Sequence, residues 1–233
     1  RDQARLDQTR RRRWQRSQGY FESLAGDWER IRKSYFDDRV TSLSIEKLLP
    51  RDLSLADIGC GTGTLTFELA RFARKVIGVD LSPEMLRRAR DVAKQRELGN
   101  VEFRQGDALK LPLDSRSVDA AFCVMVLHFL PDPERAIAGL CRIVRPGGSV
   151  ILVDLVLHQQ EWMREQMAHQ WLGFHRSSIE KWFRAAGAES IDYDLTGSFA
   201  GEKIARNGNR PVEIFVARAT LPATPTGKRK KAI

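Results

Sequence analysis

The 233-residue sequence lacks any stretch approaching the ~18 consecutive apolar residues of a membrane-spanning helix. It is also poor in cysteine. Cys60, Cys123 and Cys141 are an odd number in isolated settings, which excludes a disulfide framework and points to a reducing compartment, the cytoplasm. The start has no initiator Met, no apolar signal core and no small-residue cleavage site, and reads as a piece of a longer chain. There is no internal repeat.

What is present is a globular composition: 42 % hydrophobic residues spread through the middle, too many for a disordered chain. The formal charge of +9 invites a nucleic-acid reading, but its location removes most of the force. Residues 1–40 carry 11 basic and 7 acidic side chains, and residues 220–233 carry Lys228, Arg229, Lys230 and Lys231 with no acid. The intervening 41–219 hold 24 basic against 23 acidic groups, so composition gives the body no basic face.

Three regions follow. Residues 1–50, with Tyr20, Leu24, Trp28, Ile31 and Tyr35 at helical spacing and Pro50 as a stop, form a helical cap or linker. Residues 51–219 alternate short β-branched runs with amphipathic segments, the pattern of a parallel sheet with crossover helices. Residues 220–233 form a basic, disordered tail. Within the α/β region, strands are expected at 53–58, 75–80, 101–105, 118–125 and 150–155, the last after a Pro146-Gly147-Gly148 turn. Ser82-Pro83 supplies the N-cap and first-turn proline of one helix, and further helices are expected at about 133–144 and 177–186. Ile191 to Leu195 and Val212 to Arg218 close the sheet.

The first strand runs into Gly59-Cys60-Gly61-Thr62-Gly63, a glycine loop that lets backbone pass close under a ligand. The dinucleotide pattern needs glycines at its first, third and sixth places, and here Thr64 holds the sixth. Asp57 beside the loop would repel a pyrophosphate and suits an amino-bearing ligand. Asp80 ends the second strand, where a carboxylate can accept both hydroxyls of a ribose, and Asp107 follows the third, where an adenine would lie. Any one of these acids alone is an ordinary cap or turn residue; three at neighbouring strand ends, with the glycines, form a constellation.

These residues carry a resemblance: 56–63 (ADIGCGTG), 79–85 (VDLSPEM), Gly106-Asp107-Ala108 with Leu111-Pro112, and Leu127-His128-Phe129-Leu130 with 144–148 (VRPGG). From about Tyr20 to Arg218 the chain closely resembles the class I S-adenosylmethionine-dependent methyltransferases, in the branch of the ubiquinone and menaquinone methyltransferases. The resemblance implies an α/β, Rossmann-like fold with a seven-stranded, mostly parallel sheet whose last strand is antiparallel. It implies S-adenosyl-L-methionine as cofactor, with S-adenosylhomocysteine as product or effector. By position, Gly59, Gly61 and Gly63 approach the methionine part, with Asp57 beside them, and Asp80 holds the ribose. Asp107 and Ala108 border the adenine, Leu81 and Met85 pack on the adenosine, and Val124 and Met125 lie beside the sulfonium. Tyr20, with Phe21 and Trp28, would cover the cofactor.

A narrower likeness rests on 16–21 (RSQGYF), 25–28 (AGDW), Glu161-Trp162 and 171–174 (WLGF). It is to methyltransferase-like domains fused behind a winged-helix repressor of the arsenic-repressor type, in which the domain can act as a sensor without turnover. DNA would then be reached only through a domain outside this chain.

For the reaction, the expectation is methyl transfer to a small-molecule acceptor, with nucleoside sensing in a transcriptional regulator as the alternative; a homodimer is left open. The fourth strand ends Cys123-Val124-Met125-Val126 instead of the Asn/Asp-Pro-Pro-Tyr element of enzymes that methylate DNA bases. Arsenite methylation needs converging thiolates, and the three cysteines read as structural. His128 is the candidate catalytic base or substrate contact. Trp171, Phe174 and His175 are candidate acceptor-pocket residues. His158, Glu161, Glu165 and His169 would share one face of a helix, which is read as a solvated face and not as a metal site.

Overall fold

The structure, a computed structural model, describes residues 52–199 and 212–223, together with Gln8, Arg12, Leu49 and Pro50. Contacts divide the chain into Arg1–Leu49 and Pro50–Ile233. The helices expected before Pro50 and the tail from residue 224 lie outside the described residues.

In the second unit the sheet is built from β1 (Ser54–Ile58), β2 (Lys75–Asp80), β3 (Val101–Gln105), β4 (Val118–Val124), β5 (Val144–Leu155), β6 (Ser190–Phe199) and β7 (Val212–Thr220). Their spatial order is β3-β2-β1-β4-β5-β7-β6. The first five pair in parallel, and β7 runs antiparallel to both β5 and β6, as the resemblance implies. Every residue of β1 is buried, the mark of a central parallel strand covered on both faces. Chain order reverses between β1 and β4, which opens a crevice beyond the carboxyl ends of these strands.

The helices are α1 (Thr64–Ala70), α2 (Pro83–Gln95), α3 (Pro133–Ile143), α4 (Trp162–Met167) and α5 (Arg176–Ala185). The start of α2 is as expected: the Ser82 hydroxyl accepts the Met85 N–H at 3.3 Å, and Pro83 opens the first turn. Its apolar stripe, Leu86, Ala89 and Ala93, faces the sheet. Asp132 caps α3 by accepting the Arg135 N–H at 3.0 Å, and Ile137, Leu140 and Ile143 bury that helix against the core.

Two elements differ from expectation. β5 starts at Val144, which already pairs with Val118; the register then slips so that Ser149 faces Ala120. The Pro-Gly-Gly segment is therefore a bulge within the strand and not a turn before it. Residues 158–169 do not form one helix: α4 covers only Trp162–Met167, and Ala168 ends it in the left-handed region at φ 58°. The proposed shared face of His158, Glu161, Glu165 and His169 does not exist. Among the described residues no group of three His, Cys, Asp or Glu side chains is placed to hold a metal.

Candidate cofactor site

At the crevice, Gly59, Asp80, Leu81, Asp107, Ala108 and Val126 share one cavity of about 230 Å³. Gly59 has φ +72°, and a Cβ there would lie 2.3 Å from Cγ2 of Val126, so the loop after β1 and the end of β4 meet only because position 59 has no side chain. Gly61, at φ +54°, has nothing within 4 Å of its Cβ position and borders open space.

The loop is tied to β2 by Asp80. Oδ2 of Asp80 accepts the Gly61 N–H at 2.8 Å, and Oδ1 accepts the Ser82 N–H at 2.9 Å. A carboxylate offers about four lone-pair sites, so this half-buried group retains capacity for two more donors. Next to it Leu81 is 67 % and Met85 44 % exposed, two apolar side chains held at the surface with no core to join. A vicinal diol with a flat ring beside it fits this combination. Asp107, at the far side of the cavity, is exposed; its Oδ1 accepts the Leu109 N–H at 2.8 Å in a local turn, and its second oxygen is available.

Asp57 behaves differently from the other two acids. It is 2 % exposed and takes the Thr66 hydroxyl at 2.6 Å, tying β1 to α1 from beneath the loop. Burial pushes its carboxyl up to about 6, against the opposing pull of the Thr66 hydrogen bonds. It does not line the cavity.

The expectation put Val124 and Met125 beside the reacting centre, but Val126 lines the cavity in their place. Val124 is paired with Val153 in the sheet, and Met125, at φ 57°, packs on the cluster of Leu155, Met163 and Leu172. Phe129 and Leu130 also line the cavity and were not singled out. Their signal was their place immediately after the fourth strand, within the quoted Leu127-His128-Phe129-Leu130 motif. Tyr20 lies outside the described residues.

His128 sits in the short 3-10 turn Leu127–Phe129 behind that wall. Its side chain is enclosed, the residue being 1 % exposed, and Nδ1 lies 2.7 Å from Oδ1 of the fully buried Asp154. A carboxylate only accepts, so Nδ1 carries the proton. The His128 carbonyl takes the N–H groups of Gln170 and Trp171. Of the residues expected at the acceptor, Trp171 is exposed and donates its indole N–H to the Leu130 carbonyl at 2.8 Å. Phe174 is buried in the core, and His175 is the exposed residue before α5.

All three cysteines are buried. Burial pushes the Cys60 thiol, with Asp57 and Asp80 adding to it, and the Cys141 thiol up to about 12, and Cys123 is raised as well. None is a thiolate at neutral pH. A larger cavity, about 680 Å³, lies at the opposite ends of the strands beside Arg116, Cys141 and Arg142, and contains none of the predicted site residues.

Comparison with known proteins matches this geometry. A family model described as a methyltransferase domain, Methyltransf_11, matches residues 56–152, from β1 into β5. Demethylmenaquinone methyltransferase of Lactococcus lactis is 27 % identical over 220 residues, covering 80 % of this chain and 87 % of that protein. An uncharacterized methyltransferase of Mycobacterium bovis is 37 % identical over 147 residues, 62 % of this chain and 56 % of that one. A solved structure of Haemonchus contortus phosphoethanolamine N-methyltransferase 2 with S-adenosylhomocysteine superposes with a TM-score of 0.66 at 17 % identity, covering 76 % of this chain and 52 % of that chain. With the sheet order, the glycine loop and the acid at the end of β2, these matches make the chain similar in fold and motifs to the class I S-adenosylmethionine-dependent methyltransferases, with residues 56–152 matching their methyltransferase domain.

Proposed function

We propose that the protein transfers a methyl group from S-adenosylmethionine to a small-molecule acceptor. The observation that carries the cofactor placement is Asp80: two of its lone-pair sites hold the glycine loop and Ser82, and two remain for ribose hydroxyls. Leu81 and Met85 then cover the adenosine, Asp107 and Ala108 border its base, and Gly59, Gly61 and Val126 surround the methionine end. Bound there, the cofactor supplies a methyl group activated by a sulfonium. The protein's part is to orient it and to exclude water, since in-line displacement gains most from positioning.

His128 enters this proposal as a positioning residue and not as a catalytic base. Its ring is enclosed, and its hydrogen bond to Asp154 fixes the turn that presents Val126, Phe129 and Leu130 to the cavity. Trp171 and Phe129 are the exposed aromatic groups on the acceptor side. The relatives reported above are named as methyltransferases, and no described feature favours sensing without turnover. A cytoplasmic location goes with this reading; contact with DNA, through a winged-helix domain outside this chain, belongs to the sensing alternative, and a homodimer is compatible with either.

The test is calorimetry with S-adenosylmethionine and S-adenosylhomocysteine, followed by transfer of a labelled methyl group to a panel of small acceptors that includes demethylmenaquinol. Binding of both nucleosides with labelled product is expected. Binding of the homocysteine form with no transfer to any acceptor would support the sensor instead.

A further inference from the structure

We propose that the turn at residues 168–171, between α4 and α5, is a proton-operated latch on the His128 turn, held shut while His158 and His169 are neutral and released when they take up protons. Met163, Leu172 and Phe174 bury both flanks of this turn in the core, and Val156 donates to the Glu213 carbonyl of β7, so movement is confined to the turn itself. Leu157 and His158 donate to the carbonyls of Phe174 and Leu172, and Phe174 donates to Leu155. Gln170 and Trp171 both donate to the His128 carbonyl, at 3.0 and 3.1 Å, and the Trp171 indole reaches Leu130.

Under these ties the His169 ring packs on that of His128, which is bonded to the buried Asp154, and His158 lies near enough to His128 to feel its charge. The His169 ring is 4.2 Å from that of His128, and His169 is 5 % exposed. Asp154 is already engaged by His128 Nδ1 and by the Leu155 N–H, each at 2.7 Å. The closed form leaves two ring nitrogens, His158 Nε2 and His169 Nδ1, buried without a partner. His158 accepts the Gln160 N–H on Nδ1 at 3.1 Å, so its single proton sits on the orphaned Nε2, and a second proton would have to break the Gln160 bond. Burying such groups unpaired costs free energy that opening returns by hydration.

His169 feels His128 from its own turn, His158 from ahead of α4 and Asp154 from β5, whereas His158 feels His128 and Glu161. Glu161 is exposed and paired with Arg164, which leaves no second buried carboxylate here for another imidazolium. Burial and the neighbouring imidazoles accordingly push His169 down to about 4, and burial with His128 lowers His158. In the open form both return toward about 6.5. Below that pH the open form binds more protons, and the opening constant rises about tenfold per pH unit for each histidine involved. Opening withdraws Trp171 from Leu130, a wall residue of the cofactor cavity; only its meaning for the acceptor rests on the proposed function.

Hydrogen exchange of the whole chain tests this at pH 7.5, 6.5 and 5.5, with each amide corrected for its intrinsic rate. The protection of Gln170 and Trp171 should fall at least about fivefold from pH 6.5 to 5.5 relative to the sheet amides of Ala56 and Val150. The double variant His158→Gln, His169→Phe should abolish that fall. A constant ratio in the wild-type protein, or the same fall in the variant, overturns the proposal. The wild-type ratio decides alone if the variant does not fold.

Discussion

The Gly61 amide donates to Asp80 Oδ2 at 2.8 Å, so the carboxylate proposed to take the ligand hydroxyls also holds the glycine loop in shape. Asp80→Ala should therefore weaken S-adenosylmethionine binding more than the loss of the ligand bonds alone would. Removing a charged acceptor costs about 1–3 kcal/mol per bond, which predicts a loss of about ten- to a hundredfold or more in affinity. Calorimetry measures it, and an unchanged dissociation constant would refute the assigned site.

The two loop glycines should respond to alanine in different ways. Gly59→Ala drives a Cβ to 2.3 Å from Val126 in a left-handed backbone, so both stability and binding should collapse. Adding Val126→Ala should recover part of the stability by removing the clash, while the backbone strain remains. Gly61→Ala has open space and should lose only about 1–2 kcal/mol to strain, yet it should lose ligand affinity out of proportion. Thermal unfolding and calorimetry on the three variants separate these effects.

Asp57 predicts a pH signature. Its carboxyl is raised by burial from an ordinary 3.8 to about 6, so the folded state holds a proton that the unfolded chain has released. The contribution is fully present below about pH 4 and is lost as pH rises through 6. Asp57→Asn keeps an oxygen for the Thr66 hydroxyl and cannot ionise. Urea unfolding should show the variant gaining on the wild type by a few kcal/mol between pH 4 and 7.5. A difference independent of pH would contradict the raised value.

The His128–Asp154 pair should be non-additive. Removing one partner leaves the other buried and unpaired, so His128→Phe and Asp154→Leu should each cost about 3–5 kcal/mol. The double variant should cost less than the two combined. Additive losses in a urea-unfolding cycle would show that the two groups do not act as a unit.

Local signals were legible in the sequence wherever a residue acts through its immediate neighbours. Ser82-Pro83 predicted the start of α2, and the glycines of the 59–63 loop marked the turn between β1 and α1, both of which the structure contains. The acids at the strand ends were legible as a set, but their division of labour was not. Asp57 is sealed under the loop by Thr66, whereas Asp80 and Asp107 open on one cavity, because depth depends on what the helices lay over each strand end.

The reach of the fourth strand, the bulge that starts β5 at Val144 and the breakdown of the 158–169 helix all depend on partners distant in sequence. Val126 lines the cavity where Val124 and Met125 were expected, and Met125 instead packs on the Leu155 cluster. The sequence by itself determined the order of strands and helices and the glycine loop, since periodicity, caps and glycines are local properties, and its motifs carried the resemblance that implied the ligand class. Only the tertiary structure decided which acids face the cavity and that His128, with His169 packed on it, bonds the buried Asp154, since burial and pairing belong to contacts between segments.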